Sequence, residues 1–425
     1  MTSGPSPSYR AIAALPGFRR ITASFLLART ASQMQTVTLV LLALTVFHSP
    51  QLAGLSVLAI LPGQLLSPVA GALLDRHGRI RLILADYCVA ASGLALIGGC
   101  ALAGVLSPWL LVVLVAAGSL TYPLSGAGAR TLWPALVPRA GWDRVNALDS
   151  ASLTASSILG PAVAGVLVAA AGAPVALLAV AAAYVAAVAL LAGVGDPGGV
   201  AASPGPLLRD AAAGLGYVAA HPTLRALALS LSTAGMGWGI LTVGLPVLVL
   251  HRLHGSPALV GLLWALAGAA GVGAGLVAGH RGTRDRERRV IVRMLGLSTL
   301  GVVPILLAAT PAVELGAGRG GAVLLVVLGM LLVGGADGPL TTAMFSARQR
   351  RTDPAWYGRA FAVSMSLNYA GTPIGAGIGG ILVAASLAGA VGTAAALVGL
   401  AMLVAIWWLP ATHRPRGQAP LAGAG

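Results

Sequence analysis

Charge is scarce in this 425-residue chain: 9% of residues are Asp, Glu, Lys or Arg, against 57% apolar ones. A soluble domain carries about 25% charged residues, so a water-soluble globule is excluded and an integral membrane protein is indicated. Lysine is missing altogether, all 26 basic residues being arginine, and a Walker-type phosphate-binding lysine goes with it. No HExxH, no CxxC and no histidine cluster occurs, so no enzyme or metal-site signature stands out and no cofactor is expected. His77, His221, His251 and His254 fall between apolar runs, where solvated side chains are the plain account. Cys88 and Cys100 share one apolar run; on a helix they lie about 18 Å apart, too far for a disulfide. The net charge of +15 does not indicate nucleic acid as a partner, because no soluble surface is available to carry a basic face.

Long apolar runs fill the space that charge leaves, and the mean hydropathy is +0.90. Twelve runs can be traced, at roughly 21–47, 52–74, 82–104, 107–129, 146–171 and 174–195, then roughly 223–250, 257–279, 290–310, 320–344, 359–385 and 388–409. Each is long enough to cross a hydrocarbon core of about 30 Å. The expected fold class is therefore an all-α integral membrane protein of twelve transmembrane helices in two six-helix bundles, residues 1–195 and 223–425. A connection at 196–222 joins them, with Leu207, Ala211, Leu215 and Val218 forming one face of an amphipathic helix along the membrane surface.

Arginine sets the orientation. Connections after even-numbered runs carry Arg76, Arg79 and Arg81; Arg139 and Arg144; Arg209 and Arg225; Arg281, Arg284, Arg286, Arg288 and Arg289; and Arg348, Arg350 and Arg351. Those after odd-numbered runs carry little beyond His48, Arg252, His254, Glu314 and Arg319. Positive charge accumulates on the cytoplasmic side, which places both termini there in a multi-pass protein of the cell membrane. The first twenty residues are polar and Pro-rich, without the apolar core of a signal peptide, and read as a short cytoplasmic tail.

The two halves echo one another. Gly71 to Arg79 matches Gly275 to Thr283, with Gly279 where Asp75 stands; Tyr122-Pro123-Leu124-Ser125 matches Gly338-Pro339-Leu340-Thr341; Gly160-Pro161 to Gly165 matches Thr372-Pro373 to Gly377. Such repetition is what a transporter with its site between two repeats displays.

The charged turn GALLDRHGRIR, Gly71 to Arg81, resembles the loop between the second and third helices of the major facilitator superfamily, with Gly71, Asp75, Arg76, Gly78 and Arg79 at matching places. The resemblance extends over essentially the whole chain. RTLWPALVPRAGWDRVNALDSAS, GLGYVAAHPTLRAL and Tyr357-Gly358-Arg359-Ala360-Phe361 are similar to the branch holding macrolide-efflux and enterobactin (siderophore) exporters. SSILGPAVAG resembles the superfamily's antiporter motif through Gly160, Pro161 and Gly165, although Ser156 stands at the leading glycine and Ala164 at one of the closing pair. Ordinary small-residue packing is the other account of that helix.

The resemblance implies a conformational switch built from Gly71, Asp75, Arg76, Gly78, Arg79 and Arg359. The Asp75 carboxylate would accept from the amides opening the eleventh helix, near Tyr357 to Arg359, where the helix dipole favours negative charge; a static salt bridge with Arg76 or Arg79 is the alternative. Ionisable groups inside spans are functional candidates by default. Arg29 lies in a polar stretch, Arg29 to Gln35, of the first run; Asp337 interrupts the tenth within GGADGPL; Asp149 sits early in the fifth. The family fold lines its cavity with helices one, four, seven and ten, so Arg29 and Asp337 are expected to share it. Proton coupling needs a carboxylate that exchanges protons near neutral pH, a role for Asp337 with Arg29 as its charge partner or as an anion binder; a structural ion pair is the other reading for Asp337 and for Asp149. Asp86, five residues past Arg81, reads as interfacial. Gln33, Tyr122, Met236, Trp238, Asn368 and Tyr369 are the candidates for the substrate cavity.

The expected activity is secondary active transport by alternating access: proton-coupled export of a hydrophobic or amphipathic small molecule such as a drug, macrolide or siderophore, by a monomer in the lipid bilayer. A narrow-specificity metabolite exporter or importer is the alternative, and a non-transporting scaffold or sensor a distant one.

Overall fold

The computed structural model describes residues 8–138, 141–196, 207–283, 286–353 and 356–410. Every regular element among them is helical. After the short α1 (Tyr9–Ala13) come α2 (Phe18–Thr45), α3 (Pro50–Leu58), α4 (Leu61–Leu65), α5 (Ser67–His77), α6 (Arg79–Leu102), α7 (Pro108–Ser119), α8 (Tyr122–Leu136), α9 (Trp142–Ala171) and α10 (Ala173–Leu191). The chain continues through α11 (Leu207–Ala220), α12 (Pro222–Val247) with a π-helical turn Leu248–Arg252, α13 (Pro257–Arg281), α14 (Glu287–Ala308), α15 (Pro311–Arg351), α16 (Tyr357–Ala385) and α17 (Leu387–Trp408).

Helix starts follow from local chemistry. Ser49, Ser107 and Ser256 each precede a proline and accept from the amide three residues on, at 3.1, 3.2 and 3.4 Å; Ser386 does the same for Gly389 without the proline. A serine cap satisfies an orphan amide, and proline at the first position has no amide to satisfy.

Among the described residues, ten helical stretches are long and apolar enough to cross a membrane. The other two expected spans depart from that standard for visible reasons. Helix α2 has the length, but Arg29 to Gln35 make its middle polar. The second run is broken into α3, α4 and α5, with three-residue hydrogen bonds at Ile60 and Leu66 just ahead of Pro62 and Pro68, because a proline cannot donate and restricts the residue before it. The fourth run breaks likewise between α7 and α8, ahead of Pro123. In α15, Gly318 has φ +64 and kinks the helix.

Within the first half α2 packs on α9 and α10, and α6 on α10; within the second, α12 packs on α16 and α17, and α15 on α13 and α14. The halves meet where α9 crosses α13 and α3 crosses α16. Helix α11 forms as expected, but its buried edge runs through Gly214 and Val218, while Leu215 is exposed. Tyr217 stacks on Trp356 with ring centroids 4.9 Å apart, tying α11 to the start of α16. That contact orients the described face of the helix. Arg348, expected in a loop, is the largest fully buried side chain: α15 continues to Arg351, and the Arg348 Nε donates to Ser364 Oγ at 3.0 Å.

Candidate functional site

A cavity of about 170 Å³ lies at membrane depth among the first-half helices, closed on one side by Thr372 and Pro373 of α16. Helix α2 contributes Ser32, Gln33, Gln35 and Thr36. The broken second run contributes Ile60 and Gln64, and the broken fourth contributes Ser119 and Tyr122. These two breaks meet: a Cβ on Gly63 would stand 1.8 Å from the Ser119 carbonyl oxygen, and the Gly63 amide donates to Ser119 Oγ at 3.3 Å. Only glycine permits that approach. Helix α6 adds Asp86, whose residue is only 4% exposed, and α10 adds Tyr184. Asp86 therefore is not interfacial: seven residues past the start of α6 it stands about 10.5 Å along the helix, with the hydroxyls of Ser125 and Thr121 facing its carboxylate.

Beside the cavity, the Arg29 guanidinium reaches Asp149 Oδ1 at 2.8 Å and donates to the Asp149 carbonyl at 3.3 Å and to Ser152 Oγ. Trp133 Nε1 donates to the same carboxylate at 2.9 Å, and the Phe25 ring lies 5.8 Å below the guanidinium carbon. The pair links α2, α8 and α9. Gly160 fits α9 against α2, since a Cβ there would stand 2.4 Å from that of Gln33. Gly165 serves the other junction: its Cβ would lie 2.6 Å from the Pro257 carbonyl, while one on Gly261 would lie 2.3 Å from the carbonyl of Pro161. At α3 and α16 the same geometry recurs, Gly54 against the Ala376 carbonyl and Gly380 against that of Pro50.

A family model described as Major Facilitator Superfamily matches residues 21–371 and 227–424. The chain belongs to the Major Facilitator Superfamily. It is 40% identical, over 89% of its length and 92% of the relative's, to an uncharacterized MFS-type transporter, y4rN, of Sinorhizobium fredii. It is 28% identical, over 82% of its length and 81% of the relative's, to the multidrug efflux pump Tap of Mycobacterium bovis. Its fold matches a bacterial homologue of the iron transporter ferroportin in an inward-facing state, with TM-score 0.69 and 20% identity over 95% of this chain and 99% of that one. The protein is thus a multi-pass membrane transporter of this superfamily and not an enzyme.

As a superfamily member it distributes the expected site residues unevenly. Gln33 and Tyr122 line the cavity. Met236 and Trp238 lie on α12, where the Trp238 indole faces Ser298 Oγ of α14 at 3.4 Å; Asn368 faces Met344 Sδ. Met236, Trp238 and Asn368, with Tyr369 and Asp337, are not among the cavity's lining residues. Arg29 pairs with Asp149 and not with Asp337. Asp337 is half-buried on α15 beside Gly334 and Gly338, which pack on α13, and no hydrogen bond or ion pair reaches it among the described residues. The side chains of Gly71, Asp75 and Arg359 lie outside those described, so the Asp75 latch does too. At the same turn Gly78 has φ +89, and Ile80 N–H donates to Asp196 Oδ2 at 3.3 Å, so the acid at the opening of α6 is Asp196. Sequence reasoning passed over Asp196, Gln64 and Tyr184; the polar Gln64 inside an apolar run was the one signal available.

Proposed function

We propose that this chain exports a hydrophobic or amphipathic small molecule in exchange for protons, by alternating access, across the plasma membrane. The single observation that carries the reading is the polar cavity at membrane depth, enclosed by helices of one half and capped by a helix of the other. Twelve spans in two six-helix bundles, 1–195 and 223–425 joined by the 196–222 connection, with both termini cytoplasmic and a monomer as the working unit, complete the proposal. Similarity to an efflux pump supports the direction of transport. Asp337 is the proposed proton carrier: it lies at span depth outside the cavity lining, no ion pair reaches it among the described residues, and an ionisable group inside a span is a functional candidate by default. Arg29 and Asp149 then serve as a fixed internal pair rather than as carriers.

Everted membrane vesicles with an acidic lumen provide the test. Addition of lipophilic drugs, macrolides or siderophores to vesicles bearing the protein is expected to release luminal protons for at least one compound. Asp337→Asn, at equal membrane content, is expected to abolish that release. Silence across the whole panel, or undiminished release in Asp337→Asn, rejects export or the assignment of the carrier respectively. The cavity, smaller than the roughly 300–1,000 Å³ of drug-sized pockets, favours a second reading, a narrow-specificity carrier of one small metabolite, which a response confined to one compound would identify.

Topology has its own measurement. In a chain whose Cys88 and Cys100 are replaced by alanine, Arg319→Cys is expected to react with a membrane-impermeant maleimide on intact cells. Arg281→Cys is expected to react only after permeabilisation. The opposite pattern would invert the orientation.

A further inference from the structure

The cavity holds one carboxyl group. Among the described residues Asp86 is the sole Asp, Glu or Arg that lines it, set among the phenols of Tyr122 and Tyr184, the amides of Gln33 and Gln64, and an apolar wall that includes Ile60 and Leu94. Among the described residues no cation pairs with it. Arg29 is close enough to act electrostatically on Tyr122, but its guanidinium is committed to Asp149 at 2.8 Å. That pair is neutral as a unit, and the carboxylate of Asp86 is left uncompensated. A second observation points the same way: Gln64 Oε1 is buried and accepts no hydrogen bond. A buried acceptor without a donor costs about 1–3 kcal/mol, and both groups ask for a partner that carries positive charge and N–H donors together.

We infer that this cavity is a recognition site for a protonated organic amine, whose ammonium group is held by Asp86 and Gln64 while its apolar body lies along Ile60 and Leu94. The inference deepens the transport reading and rests on it, by naming the class of cargo. A desolvated ammonium–carboxylate contact adds charge-assisted hydrogen bonds, and aromatic faces such as those of Tyr122 and Tyr184 favour a cation further. A metal ion is the poorer occupant, since no group of three His, Cys, Asp or Glu side chains is assembled among the described residues and hard cations take six or more oxygens. An anionic or neutral cargo would leave Asp86 buried without compensation.

Binding to the purified protein in lipid nanodiscs tests this independently of transport. The probes are 4-phenylbutylamine, charged at pH 7, and 4-phenylbutan-1-ol, which keeps size, body and one donor but no charge; heats from empty nanodiscs are subtracted. The amine is expected to bind at least about tenfold more tightly than the alcohol, the equivalent of 1.4 kcal/mol. Asp86→Asn is expected to shrink that preference below about threefold, whereas Asp86→Glu keeps it. Equal binding of the two probes to the unaltered protein, no saturable amine binding up to about 10 mM, or a preference that survives Asp86→Asn overturns the proposal. The probe pair on the unaltered protein decides the matter even if Asp86→Asn does not insert. If vesicles carry nothing while the amine preference holds, the transport reading falls and this one stands. If neutral compounds are carried equally by Asp86→Asn and the preference is missing, the reverse is true.

Discussion

Gly261→Leu is expected to abolish transport and lower thermal stability in detergent by several degrees, while Gly273→Leu on the same helix does neither. A Cβ on Gly261 would stand 2.3 Å from the carbonyl oxygen of Pro161 and 2.9 Å from the Cα of Gly165. Both obstacles are backbone, so no rotamer change relieves them, and α9 and α13 must separate along their whole crossing. Overpacking of a close-packed contact costs about 1–3 kcal/mol before any secondary loss, and in a bilayer close packing is the main force between helices, since lipid is as apolar as leucine. Gly273 has nothing within 4 Å of its added Cβ and faces outward, so it controls for leucine on that helix. Gly54→Leu, whose Cβ would lie 2.4 Å from the Ala376 carbonyl, should reproduce the Gly261 phenotype at the mirror-image junction. An unchanged melting midpoint for both Gly261→Leu and Gly54→Leu, read by fluorescence-detected size exclusion after heating, would remove these crossings as structural contacts.

Arg29→Met and Asp149→Asn are each expected to destabilise the protein by about 2–4 kcal/mol, and the double variant by distinctly less than their sum. The two side chains are only 18% and 14% exposed, and each satisfies the other at 2.8 Å. Removing one leaves a charge out of water without its counter-ion, the costly case for a buried pair. Removing both leaves only Trp133 Nε1 to re-pair, and asparagine can still accept from it. A double-mutant cycle with an interaction energy near zero would show that the pair is incidental, and would reopen Arg29 as a ligand for an anionic cargo. In the same variants export is expected to fall in step with stability, because the pair holds α2 against α8 and α9 and lies outside the cavity lining.

Helix positions were largely legible in the sequence because apolar length and proline placement act locally; Ser49-Pro50, Ser107-Pro108 and Ser256-Pro257 start their helices where caps say they should. Direction around a helix was less legible. Helix α12 is 72% buried within its most apolar window, so no polar face tells where Trp238 points, and it turned to Ser298 rather than to the cavity. Asp86 was misplaced by counting from the last arginine, a measure that overlooks how far α6 has already risen from Arg79. The repeat comparison aligned Pro161 with Pro373, yet the backbone contacts equate Gly165 with Gly380, about one turn further along. Prolines mark where a helix bends, whereas the crossing point is set by partner glycines on other helices, Gly261 and Gly54, which a single helix's sequence does not contain. The cavity itself was invisible for the same reason, since its wall depends on two broken runs meeting at Gly63 and Ser119.

That meeting of two interrupted helices bears on how such a protein can change over generations. The hollow is created by main-chain irregularity, by Gly63, Pro62 and Pro123, and not by the side chains that happen to line it. Gln64 and Tyr122 face that space without being what bends the chain around it. The positions that bend the main chain and the positions whose side chains face the hollow are therefore separate sets, so a change in the lining need not alter the framework.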